Sequence, residues 1–236
     1  MAQEQDLFEF NNYTITVIHN ILRRANESLV INCDAEHITS KKQLKAFIGY
    51  LAAYASFLHH HHKNEDDIYF PVLIKHSINC DGLTQDHKDL EALLAILDKT
   101  AALSKNKKAV AALDPKTFDF VSVKENLLQI RATLNPHLLL EETDHSPQVL
   151  RDSGLTTEEI TKVHNDIMVE EKKQDPFTSL PFFLKSFSPE EKKNWVKKTM
   201  PGFVVNVLGP IFSLRFSSYW QFSYQQQVKK GVKFSC

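Results

Sequence analysis

The sequence predicts an all-α fold, an up-down-up-down four-helix bundle followed by a helical C-terminal extension. The 236 residues contain only six glycines and no alternating β-type pattern longer than a few residues. Four long segments with helical periodicity fill roughly the first 150 residues. Short breaks separate these segments, and short connections are typical of antiparallel neighbours in a bundle.

Each bundle helix is placed by its periodicity and by its start and stop signals. Ser40 is a plausible N-cap of the second helix, and "NCDGL" breaks the chain before the third. "NKKAVAALDP" is a loop or a short helix, and Pro115 is expected at the start of the fourth helix, which ends before Pro147. The predicted helices run over about residues 6–31, 40–76, 84–105 and 116–146.

The last third of the chain has shorter helical pieces. Thr156 and Glu159 form a capping box that predicts a helix to about Lys173, and "SPEE" from Ser188 opens another. The predicted division is therefore a bundle domain over residues 6–150 and a helical extension over residues 151–236, packed on the bundle.

Composition excludes several classes of protein. Twenty-eight basic and twenty-nine acidic residues give a net charge of -1, which argues against a nucleic-acid or anionic-membrane binder. The N-terminus "MAQEQDLFEF" lacks the features of a signal peptide, and no apolar run is long enough for stable membrane insertion. Cys33, Cys80 and Cys236 read as free thiols of a reducing compartment. We expect a soluble, cytoplasmic protein.

The sequence "FLHHHHKNEDDIYFP" concentrates metal-ligand chemistry inside an apolar helical pattern. Steps of three and four residues along this helix place His61 and Glu65, one turn apart, on the stripe that faces the other helices. The fourth helix repeats the pair as His137 and Glu141. The second-helix stripe is Phe47, Leu51, Tyr54, Leu58, His61, Glu65, Ile68 and Val72.

One histidine on each remaining helix, His19 and His87, can share these apolar faces. A buried carboxylate without a partner is costly, and these stripes offer almost no lysine or arginine. A metal resolves the conflict. Three or four ligands would satisfy one ion, whereas these six indicate two. If both glutamates bridge two irons, about four of twelve octahedral positions remain for an oxo or hydroxo bridge, water and a small ligand.

The remaining histidines are weaker candidates. His62 lies at the edge of the stripe and is an additional candidate ligand. We expect no ligand role for the others, which the pattern places in loops, off the stripe or beyond the paired motifs: His37, His59, His60, His76, His145 and His164.

These motifs resemble those of the hemerythrin family, specifically its HHE cation-binding members. The resemblance covers about residues 6–150, and "HHHHKNEDDIYFP" is its most specific part. It implies two non-haem iron ions with Glu65 and Glu141 as bridging ligands. The implied ligand set is His19, His61, Glu65, His87, His137 and Glu141.

Some features depart from the oxygen-carrying members of this family. Those proteins carry a second histidine four residues after the first on the third helix, where this chain has Glu91, and His62 can supply the fifth histidine instead. Their last carboxylate follows its histidine by five residues, which makes Glu142 an alternative to Glu141. The C-terminal region looks like the extension of fungal HHE proteins. It either caps the bundle or walls an apolar pocket beside the metals, with Tyr50 and Tyr54.

A histidine-rich iron pair favours reversible binding of O2, NO or peroxide, in sensing, iron handling or peroxide defence. One alternative is a di-iron oxygenase or oxidase that acts on an apolar small molecule. Another is a protein-interaction module whose fold is switched by iron. The sequence leaves these three open, and with them the question of enzymatic activity.

Overall fold

The computed structural model describes residues 6–235, and every regular element in that range is helical. The α-helices are α1 Leu7–Asn32, α2 Lys41–Asn64, α3 Phe70–Lys75, α4 Asp81–Ala102, α5 Lys107–Ala112, α6 Phe120–Asp144, α7 Pro147–Asp152, α8 Thr157–Glu171, α9 Ser179–Ser186, α10 Pro189–Glu191, α11 Lys197–Thr199, α12 Gly209–Arg215 and α13 Tyr224–Lys229. Wider π-helical turns cover Glu65–Tyr69, Lys192–Val196 and Val204–Leu208. Tighter 3₁₀ turns cover Leu103–Lys105 and Tyr219–Phe222.

Helices α1, α2, α4 and α6 form the bundle. Each packs on two others, so that α1 and α4 both lie between α2 and α6. The amide of Asn26 in α1 donates to the carbonyl of Leu127 in α6, whereas His19, earlier in α1, meets Glu142, later in α6. The two helices therefore run antiparallel. The predicted all-α bundle is confirmed.

Three of the predicted helix starts are confirmed, and one is wrong. The expected caps at Ser40, Thr156 and Ser188 are confirmed as complete capping boxes. The expectation that Pro115 opens the fourth helix is wrong. Residue 115 lies in a turn after α5, and α6 begins only at Phe120, where Asp119 accepts a hydrogen bond from the amide of Ser122.

The second bundle helix changes its pitch at the predicted ligands. A π-helical turn starts at Glu65 and inserts an extra residue into the helical repeat. The stripe predicted to continue through Ile68 and Val72 therefore moves by one position. Tyr69 and Leu73 are buried, while Ile68 and Val72 are only partly so.

The C-terminal segment, defined here as residues 153–235, packs on α1 and α2. Helix α9 contacts both, the 3₁₀ turn at 219–222 lies along α2, and α8 contacts α1 and the π turn at Glu65. Gly49 of α2 has no side chain where the ring of Tyr219 rests on the helix. Phe182 and Phe222 belong to the same apolar cluster as the bundle core. The predicted boundary between residues 150 and 151 falls inside α7, and the division into two domains stays a prediction.

A buried ion pair also joins the C-terminal segment to the bundle. The guanidinium of Arg24 in α1 donates to both carboxylate oxygens of Glu191, at 2.5 and 2.9 Å. The same guanidinium donates to the carbonyl of Ser186 and lies over the ring of Tyr224. Two hydrogen bonds in parallel are the strong form of this pair.

Cys33 and Cys80 are buried free thiols, as expected, and Cys236 lies outside the described residues. Among residues 6–235, no helix combines the length and apolar character needed to cross a bilayer.

Candidate metal centre

Four helices direct donor groups into one end of the bundle. His19 comes from α1, His61 and His62 from the last turn of α2, His87 from α4, and His137 from α6. The carboxylates follow from the π turn and from α6, as Glu65 and Glu141. Six of these seven residues are buried, and the side chain of His61 is 10% exposed.

Their donor atoms form two overlapping groups. One group combines the imidazoles of His19 and His61 with Glu65 and Glu141, and the other combines His87 and His137 with the same two glutamates. Within each group the donor atoms all lie within 4.8 Å of one another. His62 joins His87 and His137 in a third group. The two glutamates therefore lie between two sets of histidines, one with two members and one with three: His19 and His61, and His62, His87 and His137.

Short distances link these donors without hydrogen bonds of good geometry. The Nε2 atom of His19 lies 3.2 Å from Oε2 of Glu141, and that of His61 lies 3.2 Å from Oε1 of Glu65. Within residues 6–235, no hydrogen bond satisfies Nε2 of His19, His61 or His62, Oε2 of Glu65, or either carboxylate oxygen of Glu141. Such groups are normally paired in a protein interior. Converging donor atoms with no protein partner fit a bound cation.

The contact between His87 and His137 leads to the same conclusion. Their Nε2 atoms are 3.1 Å apart, while their Nδ1 atoms lie 2.9 Å from Asp66 and 3.3 Å from Asp86. If each Nδ1–H donates to its carboxylate, both Nε2 atoms present lone pairs to each other. Two facing lone pairs repel unless a cation lies between or beside them.

The sequence of the bundle matches a known protein family. The family model for the hemerythrin HHE cation binding domain matches residues 12–149, more than half of the chain. The chain belongs to the hemerythrin family. No curated protein and no solved structure gives a match. The family match ends before the C-terminal segment, so the likeness to fungal extensions rests on the sequence alone.

Burial shapes the charges of this hemerythrin cluster. Burial, with the charge of Glu141, raises the pKa of Glu65 well above its usual value. Burial and the neighbouring histidines lower the pKa of His61 and His62 well below theirs. His19 is the exception: burial opposes its protonation, but the neighbouring carboxylates of Glu141, Glu142 and Glu65 raise its pKa to about 10. Without a metal, these carboxylates therefore favour the protonated form of His19.

Carboxylates also hold the outer nitrogens of three histidines in this hemerythrin centre. Asp66 and Asp86 bind Nδ1 of His87 and His137, and Oε1 of Glu142 lies 2.9 Å from Nδ1 of His19. Arg23 donates to the same Glu142 oxygen at 2.7 Å. Such partners fix the tautomer that leaves Nε2 free for a metal, and they raise the basicity of the ring.

These placements distinguish the alternatives left open by the sequence. All six predicted ligands come together, and His62 joins them. Glu141 belongs to both metal-binding groups, whereas Glu142 lies outside them, on the far side of His19. Whether each residue binds metal stays a prediction. The six histidines set aside in the sequence are outside all three groups.

Tyr50 and Tyr54 are fully buried inside the bundle. The ring of Tyr50 packs against Phe182 and Phe222 of the C-terminal segment, with centroids 5.6 and 6.4 Å away. The hydroxyl of Tyr54 accepts a hydrogen bond from the amide of Asn26. The proposed apolar pocket beside these tyrosines stays a prediction, and aromatic side chains pack against the Tyr50 face of that region.

Sequence reasoning missed Asp66 and Asp86 as partners of the histidines. Each follows or precedes a predicted ligand by one residue, next to Glu65 and His87 respectively. That adjacency was the available signal, because an acidic neighbour on the solvent side of a ligand can reach the outer nitrogen of a histidine on the next helix. His145 was also missed as a core residue. It is fully buried and packs edge-on against Tyr69.

Proposed function

We propose that this hemerythrin-family protein binds two iron ions between α1, α2, α4 and α6. His19 and His61 hold one ion, His62, His87 and His137 hold the other, and Glu65 and Glu141 bridge them. The observation that carries the proposal is the sharing of both glutamates by two groups of donor atoms. A single ion would leave part of this buried cluster without a partner.

The donor chemistry favours iron in a reversible role. Five imidazoles and two carboxylates suit first-row metals such as iron, and histidine-rich sites place less negative charge on the metal than the four-glutamate sites of ferritin-like bundles. A pair of iron ions supplies a change of oxidation state and open positions for O2, NO or peroxide. We therefore favour ligand sensing, iron handling or peroxide defence over substrate oxidation.

The protein's own residues prepare the site in three ways. Asp66, Asp86 and Glu142 orient three imidazoles through their outer nitrogens. The π turn begins at Glu65, directly after the histidine run, and its change of pitch buries Tyr69 in the core beside the site residues. Phe70 stacks on His87 with centroids 5.4 Å apart, which keeps water from that face of the ring.

The test is iron per chain, measured with the ultraviolet–visible spectrum in air and after reduction. We expect two irons with near-ultraviolet bands of a bridged pair in the wild type. Both should be lost in Glu141→Ala, and the metal should be reduced in His61→Ala. The control is His59→Ala, since that half-exposed histidine pairs with Asp98 outside the cluster. A single zinc, or no iron after growth with ample iron, would overturn the proposal.

The oxygenase alternative requires a pocket for an apolar substrate beside the metals. The region around Tyr50 is filled by Phe182 and Phe222, so the structure supplies no specific support for that reading. Turnover of an organic molecule coupled to O2 consumption would nevertheless separate the two functions. The iron-switched module predicts instead a large loss of helicity on iron removal, measurable by circular dichroism.

A further inference from the structure

Residues 202–215 form one continuous helix, which includes the π turn Val204–Leu208 and α12. An apolar face of this helix is exposed to solvent. The side chains of Phe203, Ile211 and Leu214 are 62%, 52% and 72% exposed, and Val207 and Pro210 lie on the same side. From Val207 onwards, spacings of three and four residues align these side chains as one stripe, and the exposure of Phe203, before the π turn at Val204–Leu208, adds it to the same surface. We name these five residues the C-terminal apolar stripe. A surface helix of a globular protein usually presents polar residues to water.

The opposite face of this helix holds it firmly on the protein. Gly209 is buried, and a side chain there would collide with Leu184 of α9. Phe212 packs on Phe177 with ring centroids 4.9 Å apart. The helix is thus oriented by its inner contacts, and the stripe faces outwards because of that fixed orientation.

Positive charge is concentrated in the same part of the chain. Residues 176–235 contain nine basic and two acidic residues, a formal charge of +7, so the rest of the chain carries -8. Lys197 and Lys198 precede the stripe, and Arg215 follows it directly. The balanced net charge of the whole chain conceals this separation.

These basic side chains have no acidic partners within the described chain. None of the nine forms an ion pair with a carboxylate of residues 6–235, and one of the two local acids, Glu191, is occupied by Arg24. Elsewhere in the described chain some cations, such as Arg23, Lys75 and Arg151, are paired with carboxylates. Lys185, Lys192 and Lys229 also lie close enough for their charges to repel, which, after burial, lowers the pKa of Lys192.

We propose that this face docks on an anionic lipid surface, with the C-terminal apolar stripe in the interface and the surrounding lysines on lipid headgroups. Exposed apolar side chains that enter a membrane interface, together with nearby basic residues that attract anionic headgroups, give binding in the plane of the interface; here the cations lie on segments that flank the stripe. The cations lie in three segments, at 192–198, 215 and 229–233, and such spread charge fits an extended anionic surface better than a single small anion. Docking of this kind requires no spanning helix.

The experiment is flotation of the iron-loaded full chain with vesicles. One set is phosphatidylcholine alone, and in the other a quarter of the lipid is phosphatidylserine. We expect binding only to the second set, with affinity falling as salt rises, since the headgroup attraction is screened. Absence of binding to the phosphatidylserine vesicles would overturn the proposal.

Matched variants separate the apolar and ionic contributions. Ile211→Ser with Leu214→Ser should weaken binding about tenfold for each side chain, whereas Val121→Ser with Leu128→Ser, exposed on α6, should not. Lys197→Gln with Lys198→Gln should weaken it about 30-fold. The charge-matched control is Lys99→Gln with Lys116→Gln on the bundle side.

Two other outcomes would overturn the proposal. Equal binding to neutral vesicles, or equal losses in the lysine variants and their controls, would exclude recognition of anionic lipid by this face. Self-association of the chain, measured by light scattering and abolished by Leu214→Ser without vesicle binding, would assign the stripe to contact with a second copy. Circular dichroism and iron content of each variant show that the fold is retained.

Discussion

Two clusters of buried charged groups lie about the same helix, α1, and their partners differ. Arg24 meets Glu191 in a bidentate ion pair, so that cation and anion match within the protein. Around His19, two carboxylates and five imidazoles converge, and six of their atoms have no hydrogen-bond partner. The first cluster is suited to holding the C-terminal segment on the bundle. The second is suited to a ligand from outside the chain.

The lesson is that burial of charge alone does not identify a functional site. Both clusters are withdrawn from water, and in both a carboxylate has a lowered pKa because a nearby cationic group outweighs burial: Arg24 beside Glu191, and His19 beside Glu141. What distinguishes them is the balance of donors and acceptors, since the cluster at His19 has surplus acceptors directed at one point. The predictions below test that distinction.

The largest expected effect concerns the buried ion pair between Arg24 and Glu191. Arg24→Ala leaves Glu191 buried without its cation, which should lower the free energy of unfolding by about 3–5 kcal/mol. Replacing both partners, as Arg24→Met with Glu191→Leu, should cost much less. Urea unfolding measures both changes. Iron per chain should stay at the wild-type value in each folded variant, and loss of iron in Arg24→Ala would show that the clusters are not independent.

The next effect concerns how the metal affinity of the site depends on pH. Burial lowers the pKa of His19, but the neighbouring carboxylates of Glu141, Glu142 and Glu65 outweigh it and raise the pKa to about 10, so His19 is protonated at neutral pH without metal. A metal must displace that proton, and any proton on Glu65, whose pKa is also raised, so its affinity should rise at least about tenfold per pH unit between about pH 6 and 8. Competition with a chelator measures this slope, and a flat profile would contradict the assignment of His19.

The stability of the metal-free fold should change with pH in the opposite direction to the metal affinity. Because the folded-state pKa of His19 lies above its ordinary value of 6.5, its protonation stabilises the metal-free fold fully below pH 6.5. That contribution is lost as the pH rises through about 10. Metal-loaded protein should lack this dependence on His19, since the metal replaces the proton.

A smaller change tests the carboxylates behind the histidines. Asp86→Asn keeps the shape of the side chain but removes the charge that holds Nδ1 of His137, and metal affinity should fall about 10–100-fold. Asp98→Asn on the same helix is the control, because Asp98 binds the half-exposed His59, which lies outside the donor groups. Equal metal affinities of the two variants would show that Asp86 does not support metal binding through His137.

The smallest expected effect is that of Pro136→Ala. Pro136 lies inside α6, immediately before His137, where it lacks the amide that would continue the helical ladder and so favours a bend. We predict weaker metal loading with the fold retained. Iron per chain and helicity are the measurements, and unchanged iron stoichiometry would refute a role for the proline in positioning His137.

The sequence predicted most of the fold because its signals are local. Capping boxes at Ser40 and Thr156, the break at "NCDGL" and the apolar periodicity depend on neighbours within a few residues. The start of α6 was misplaced because Pro115 competes with a second local signal, the cap at Asp119. The change of pitch at Glu65 was also missed, since stripes were read at a constant helical period.

The candidate site was predicted less completely than the fold. Spacing identified His61 with Glu65 and His137 with Glu141, because one turn of a helix places such pairs on one face. It could not decide how many of four consecutive histidines face inwards. Helix α2 lies between α1 and α4, so His61 meets His19 on one side while His62 stacks on His87 on the other. Consecutive residues thus serve opposite sides of the site.

By itself, the sequence determined the helical class, the order of the helices and the histidine–glutamate pairs that are the candidate ligands, since composition and periodicity are properties of the chain. Only the tertiary structure decided that both glutamates belong to two donor groups, that Asp66 and Asp86 lie behind their histidines, and that the apolar stripe of the C-terminal segment is exposed. These depend on contacts between residues far apart in sequence, whose distances are set when the helices pack.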